Sequence, residues 1–248
     1  MALAFWLMLI VVLPVIGMVI GFAWRYRATA NRDHAPDWDR SRGIEIVVWG
    51  VPAILVAVLG TLVWTNTHQL DPYRPLDGNA VPTEVQAVAL DWKWLFIYPD
   101  LGIATVNELA FPADRPLHLR ITSDVAMNSF MIPALGGQIY AMAGMETQIN
   151  LRSNAPGRFQ GRNMQFSGAG FPEQTFDVLA LSDADFTAWA ATVRRSPNRL
   201  DLDALATLRQ QSIDHPVMHF HPAPPSVFES ILADHAPAEH SSMEGMQQ

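Results

Sequence analysis

Hydrophobic and polar positions divide this chain into three regimes. Ala2 to Trp24 is an unbroken run of apolar and small residues, closed at once by Arg25, Tyr26 and Arg27. A second such run extends from Ile44 to Trp64, with Glu45 as its only charge. A bilayer core of about 30 Å needs roughly 20 helical residues, so both runs predict spanning helices. A signal peptide is the competing reading for the first run, but its apolar core would be about 7 to 15 residues and would follow a basic start. Here the run is longer, and its positive charges come after it. Pro14 and Pro52 fall mid-span, where neighbouring helices can satisfy the carbonyls they free, which points to partners within the membrane. The pattern therefore gives a membrane α-hairpin over residues 1–66 with a connecting loop at 25–43.

Residues 67–83, with Asp71, Pro72, Pro75, Gly78 and Pro82, read as a linker. Beyond it the period changes. Val85, Ala87 and Ala89 alternate with Gln86 and Val88, and the runs LFIY, IATVNELAF, LHLRITS, QIYAM, TQINLRS, RFQGRNMQFS and TFDVLALS follow at short intervals, separated by Pro, Gly, Asn and Asp. Many short strands at this spacing predict an all-β sandwich or barrel over 84–182. The third regime, 183–235, is helical. Ser182 and Asp185 form a capping-box pattern ahead of Phe186, Trp189, Ala190 and Val193; Leu202, Leu205 and Leu208 mark a second helix; Ser226 and Glu229 open a third with Val227, Phe228, Ile231 and Leu232 on one face. These helices are expected to pack against the sandwich or a partner. The tail 236–248 has little to bury and is expected to be disordered.

Charge orients these regimes. The loop between the apolar runs carries Arg25, Arg27, Arg32, Arg40 and Arg42, no Arg or Lys precedes the first run, and the next after the second is Arg74. The positive-inside rule puts this loop in the cytoplasm and both termini, with the β domain, on the other side: the periplasm of a Gram-negative cell. Residues 67–248 hold 20 Asp plus Glu against 11 Lys plus Arg, a formal charge of −9. Such a surface disfavours nucleic acid and anionic lipid headgroups; it reads as a solvated face, or as one that attracts a basic protein. The chain has no cysteine, so no disulfide supports the β domain, and its length allows a core to do so alone.

Several long runs in one order, from the first helix to about Pro197, resemble a known family. FAWRYRA follows the first helix; Glu45, Trp49 and Pro52 give E-x-x-x-W-x-x-P; DWKWLFIYPDLGIATVNELAFP spans 91–112, MNSFMIPALGGQIYAMAGM spans 127–145, and FSGAGF spans 166–171. The chain resembles subunit II of the haem-copper terminal oxidases, and within them the quinol oxidases of the cytochrome bo type. The resemblance implies a cupredoxin-like sandwich behind the membrane hairpin. Family members that accept electrons from cytochrome c hold two copper ions with a His followed by C-x-E-x-C-x3-H-x2-M. The matching positions here are Asn128, Asn163, Gln165, Ser167, Phe171 and Gln174. None offers the family's ligand: two bridging thiolates are missing, amides and a hydroxyl are poor donors to copper, and phenylalanine is none. The resemblance thus implies a copper-less scaffold of the quinol-oxidising branch, with no metal or other cofactor and no catalytic residue of its own. The haems, the copper at the oxygen site and the quinol site belong to subunit I, which this chain would support alongside subunits III and IV and membrane lipid in a bacterial inner membrane.

Glu45 is the candidate for chemistry. A carboxylate at the start of a membrane helix is costly unless it serves a polar pathway or stays at the interface. Position alone fits equally a favourable anion near a helix N-terminus, worth about 0.3–1 kcal/mol; the family resemblance implies the entrance of a proton-uptake pathway into subunit I. Met127, Met131, Met142, Met145 and Met164 are expected to fill the core or an interface rather than bind copper. Trp92 and Trp94 are expected to pack against the sandwich and subunit I, although in cytochrome c-using relatives this aromatic run lies on the electron-entry side. His215, Met218, His219 and His221, then His235, His240, Met243 and Met246, could in principle bind copper, but the spacing fits no closed site and solvated loop positions are expected. Quinol-oxidase subunits II often begin with a lipoprotein signal whose cysteine is lipidated; with no cysteine here, either that anchor is absent or the start lies upstream. A different class of function, a membrane-tethered periplasmic copper-handling or binding protein without oxidase partners, would show no haem partner on copurification.

Overall fold

The computed structural model describes residues 2–27, 41–69, 71–74, 76 and 81–235. The expected disordered tail, with His240, Met243 and Met246, lies outside the described residues, as do residues 28–40 of the connecting loop and 77–80 of the linker. Two compact units divide at Asp71 and Pro72. In the first, α1 (Ala2–Arg25) and α2 (Arg42–Gln69) have 24 and 28 residues, about 36 and 42 Å at 1.5 Å per residue, and are long and apolar enough to cross a membrane. Pro14 and Pro52 lie inside them without ending either. Polar side chains near the end of α2 turn back on the helix: Thr61 Oγ1 donates to Ala57 O at 2.8 Å and Asn66 Nδ2 to Leu62 O at 2.7 Å, which satisfies them without water.

The second unit is a sandwich of two mixed sheets. Its strands are β1 (Thr83–Leu90), β2 (Lys93–Tyr98), β3 (Ile103–Val106), β4 (Glu108–Pro112), β5 (Leu117–Ser123), β6 (Asn128–Met131), β7 (Gln138–Ala141), β8 (Thr147–Leu151), β9 (Gly157–Asn163), β10 (Thr175–Leu181) and β11 (Met218–Phe220). The larger sheet has the order β11-β3-β2-β1-β5-β8 and the smaller β4-β10-β9-β6-β7, with β1·β5 and β4·β10 parallel and the other pairs antiparallel. The inner core joins Val85, Ala87, Ala89, Trp94, Phe96 and Tyr98 of the larger sheet to Phe130, Phe176 and Val178 of the smaller.

The opposite face of the larger sheet is also buried. Val88, Leu90, Leu95, Ile97, Ala104 and Val106 pack against Leu205, Leu208, Phe220, Phe228 and Ile231 from the C-terminal segment. Fully burying such a side chain stabilises by about 1.5–3 kcal/mol. This explains why β2 is buried at every position: a strand covered on both faces has no solvent side to mark. The covering elements are α4 (Leu202–Leu208) and α5 (Ser226–Asp234) together with β11, whereas α3 (Asp183–Val193) packs Ala190 and Val193 into the inner core. Ser182 Oγ accepts from Asp185 N at 3.1 Å as the cap of α3, and Asp201 Oδ1 accepts from Ala204 N at 2.9 Å as the cap of α4.

The structure changes two details of the sequence pattern. IATVNELAF is two strands, in different sheets, because Asn107 adopts φ 56° and the chain crosses over there. Its side chain accepts from Trp94 N at 2.9 Å and donates to His215 O at 2.7 Å, so it is an anchored corner. The stretch read as purely helical contributes β11, which pairs antiparallel with β3 at the sheet edge. A three-residue strand takes its stability from that distant partner and leaves little local pattern.

Candidate functional site

At one end of the sandwich, β6 opens with Asn128, β9 closes with Asn163, and the following turn passes through Ser167 to Phe171–Glu173, a single 3-10 turn, and Gln174. Asn128, Asn163 and Gln174 are buried. Asn163 Nδ2 carries two protons; it donates to Asn128 Oδ1 at 2.7 Å and to Gln174 Oε1 at 2.8 Å, while Ser167 Oγ donates to the same Gln174 oxygen at 3.1 Å. Asn163 Oδ1 accepts the backbone N–H of Ser129 at 2.8 Å and of Gln165 at 2.9 Å. Asn128 Nδ2 in turn donates to Ala126 O at 2.8 Å. Four of the six singled-out side chains thus meet in one neutral network. Gln165 enters through its backbone alone, and the half-buried Phe171 ring instead packs 5.8 Å from Phe166.

Trp92 seals this turn. Its Nε1 donates to Ser167 O at 3.1 Å, and its ring lies on two glycines. A Cβ on Gly170 would meet Trp92 Cδ2 at 2.4 Å, and Gly168 has φ 113°, so both positions require glycine, one for closeness and one for conformation. Trp94, two residues on, is fully buried edge-on to Phe130 at 5.3 Å.

A protein from Pseudomonas aeruginosa named cytochrome bo(3) ubiquinol oxidase subunit 2 is 47% identical over 95% of this chain and 76% of its own length. Ubiquinol oxidase subunit 2 of Acetobacter aceti is 45% identical over 91% of this chain and 74% of its own length. The chain belongs to the ubiquinol oxidase subunit 2 family. No protein-family model matches it. The solved periplasmic domain of subunit II of cytochrome oxidase from Bradyrhizobium japonicum covers 48% of this chain and 96% of its own at 19% identity, with a TM-score of 0.45, too loose a likeness to carry an argument.

The residues of the network do not fit a two-copper centre. Their donors are neutral amides and a hydroxyl, most of them committed to one another and to backbone groups, and none can become the anionic bridge that two copper ions share. Among the described residues no group of three or more His, Cys, Asp or Glu side chains converges as a metal site.

Three of the histidines expected to be solvated, His219, His221 and His235, instead have partners distant in sequence. His219 Nε2 lies 2.9 Å from Glu108 Oε1, which also accepts from Trp189 Nε1 at 2.8 Å; His221 Nδ1 lies 3.2 Å from Gly102 O; His235 Nε2 lies 3.1 Å from Asp124 Oδ1. Their placement on β11 (His219), just after it (His221) and at the end of α5 (His235) brings them against the sandwich, which spacing along the chain does not reveal. Among the methionines, Met127, Met145 and Met164 are exposed, so these three are surface rather than core residues. Glu45 lies in the first turn of α2 with an exposed side chain, its backbone N–H donating to Ser41 O at 3.0 Å.

Charged contacts hold the C-terminal segment to the larger sheet. Arg120 on β5 bonds Glu146 at 2.8 and 2.5 Å and Glu229 of α5 at 3.0 Å. The Arg120 hydrogen bond holds the Glu146 carboxyl below its ordinary range. Lys93 is fully buried, and its Nζ donates to Leu208 O at 2.9 Å and Gln210 O at 2.7 Å. Burial pushes its ammonium down from the ordinary value, with the Asp91 carboxylate pulling the other way.

Proposed function

We propose that this chain is the copper-less second subunit of a respiratory, proton-pumping quinol:oxygen oxidoreductase. The amide network carries this reading: Asn128, Asn163, Ser167 and Gln174 fill with neutral hydrogen bonds the position that the family resemblance assigns to electron-accepting copper ligands. Electrons then enter the complex elsewhere, from quinol on subunit I, which also holds the haems and the oxygen-site copper. The two apolar helices anchor the chain in the inner membrane among subunit I and its companions, subunits III and IV. The arginine-rich loop faces the cytoplasm and the β domain the periplasm. Glu45, at the cytoplasmic start of α2, forms part of a proton-uptake entrance. A tethered copper-handling protein is disfavoured, because the network's neutral amides and hydroxyl are the wrong chemistry for copper.

Affinity purification of the tagged chain in mild detergent tests this reading. Haem and a haem-bearing partner should copurify; a chain recovered alone, without haem, would overturn it.

A further inference from the structure

The last turn of α4 reaches two loops that are remote from it in sequence, and both border the amide network. Lys93, beside Trp92 in the β1–β2 turn, places Nζ on the carbonyls of Leu208 and Gln210. Between those residues, Arg209 makes a two-pronged pair with Asp124, Nε to Oδ2 and Nη2 to Oδ1, each 2.9 Å. Asp124 is nearly buried, and its backbone N–H donates to Ala89 O at 3.0 Å. Asp124 also begins the turn whose Ala126 carbonyl receives Asn128 Nδ2. On the other side, Trp92 clamps the turn at Ser167 through its 3.1 Å bond. His235 at the end of α5 adds a second contact to Asp124 Oδ1, and Asp234 a second partner to Arg209 at 2.8 Å.

We propose that residues 208–210 are a brace, with Arg209 and Lys93 as positioning residues that fix the 91–92 and 123–126 loops and, through them, the end of the sandwich carrying the amide network. The physical reason is the low tolerance of a buried carboxylate for losing its partner. Arg209 is the two-pronged partner of the Asp124 carboxylate, with His235 as its other side-chain contact, and the Asp124 turn supplies one of the network's acceptors.

The test is hydrogen–deuterium exchange on the detergent-extracted chain, comparing wild type, Arg209→Met, the milder Asp124→Asn, and Arg115→Met, which removes the Arg115–Asp183 ion pair at the far end of β5, as the control. Arg209→Met should speed exchange over 123–131 and 163–174 by about tenfold or more, as expected from stranding a buried carboxylate. Asp124→Asn should act on the same segments more weakly, and Arg115→Met should leave them unchanged. Unchanged exchange over both segments in Arg209→Met, or an equal rise in Arg115→Met, would overturn the brace.

Discussion

Asn163 and Asn128 join β9 to β6 through a buried 2.7 Å hydrogen bond, amide to amide. Both residues are neutral at any physiological pH, so this end of the domain is held without charge, thiolate or metal. The arrangement suits a scaffold, since neither group changes state during electron transfer.

Asn163 is the hub, with two donors and a shared acceptor all in use. Asn163→Ala strands the N–H groups of Ser129 and Gln165 together with the acceptor of Asn128, and leaves Gln174 Oε1 with Ser167 Oγ alone. The expected loss is about 3 kcal/mol, read from the denaturation midpoint of the solubilised chain. A change below about 0.5 kcal/mol would show that the network is not a structural element.

Gly170 and Trp92 should behave as a coupled pair. Gly170→Ala places a Cβ 2.4 Å from the indole and is expected to destabilise by about 1–3 kcal/mol. In a Trp92→Ala background the same substitution should cost distinctly less, because the clash is gone. Additive effects would mean that the two residues do not meet as described.

Glu146 gives the domain a predictable acid sensitivity. Its carboxyl is held below the ordinary 4.5 by Arg120, so its contribution is complete above that value and is lost as pH falls through the lowered folded value. Unfolding midpoints should therefore drop as pH falls below 4.5, and Glu146→Gln should flatten that part of the profile. An identical profile in the variant would remove Glu146 as the source.

Much of this was legible along the chain. The two apolar runs became α1 and α2, the short alternating segments became strands, and the Ser182 cap with Phe186 and Trp189 placed α3, because each signal is local. Of the six positions matched to the family's copper ligands, four side chains meet in one network, but their spacing could not show that Asn163 would be the hub or that Trp92 would close it. What stayed hidden depends on contacts distant in sequence. β11 exists through β3, Lys93 finds its carbonyls 115 and 117 residues away, and Arg209 meets Asp124 across 85. The division of one apparent strand at Asn107 was likewise unmarked, since asparagine in a turn and asparagine at a corner look alike in sequence.

Glu45 stands at the start of α2, where a proton entrance would begin. Glu45→Gln keeps the shape and removes the charge, so oxygen uptake with quinol should slow, most at alkaline pH where protons are scarce. Unchanged oxygen reduction and unchanged pumping would take Glu45 out of the pathway.

The most direct test of the account is oxygen uptake by the purified complex, measured side by side with quinol and with reduced cytochrome c. Uptake with quinol and none with cytochrome c is the predicted result. Uptake driven by reduced cytochrome c through this subunit would contradict the account, because the amide network has no means of accepting an electron.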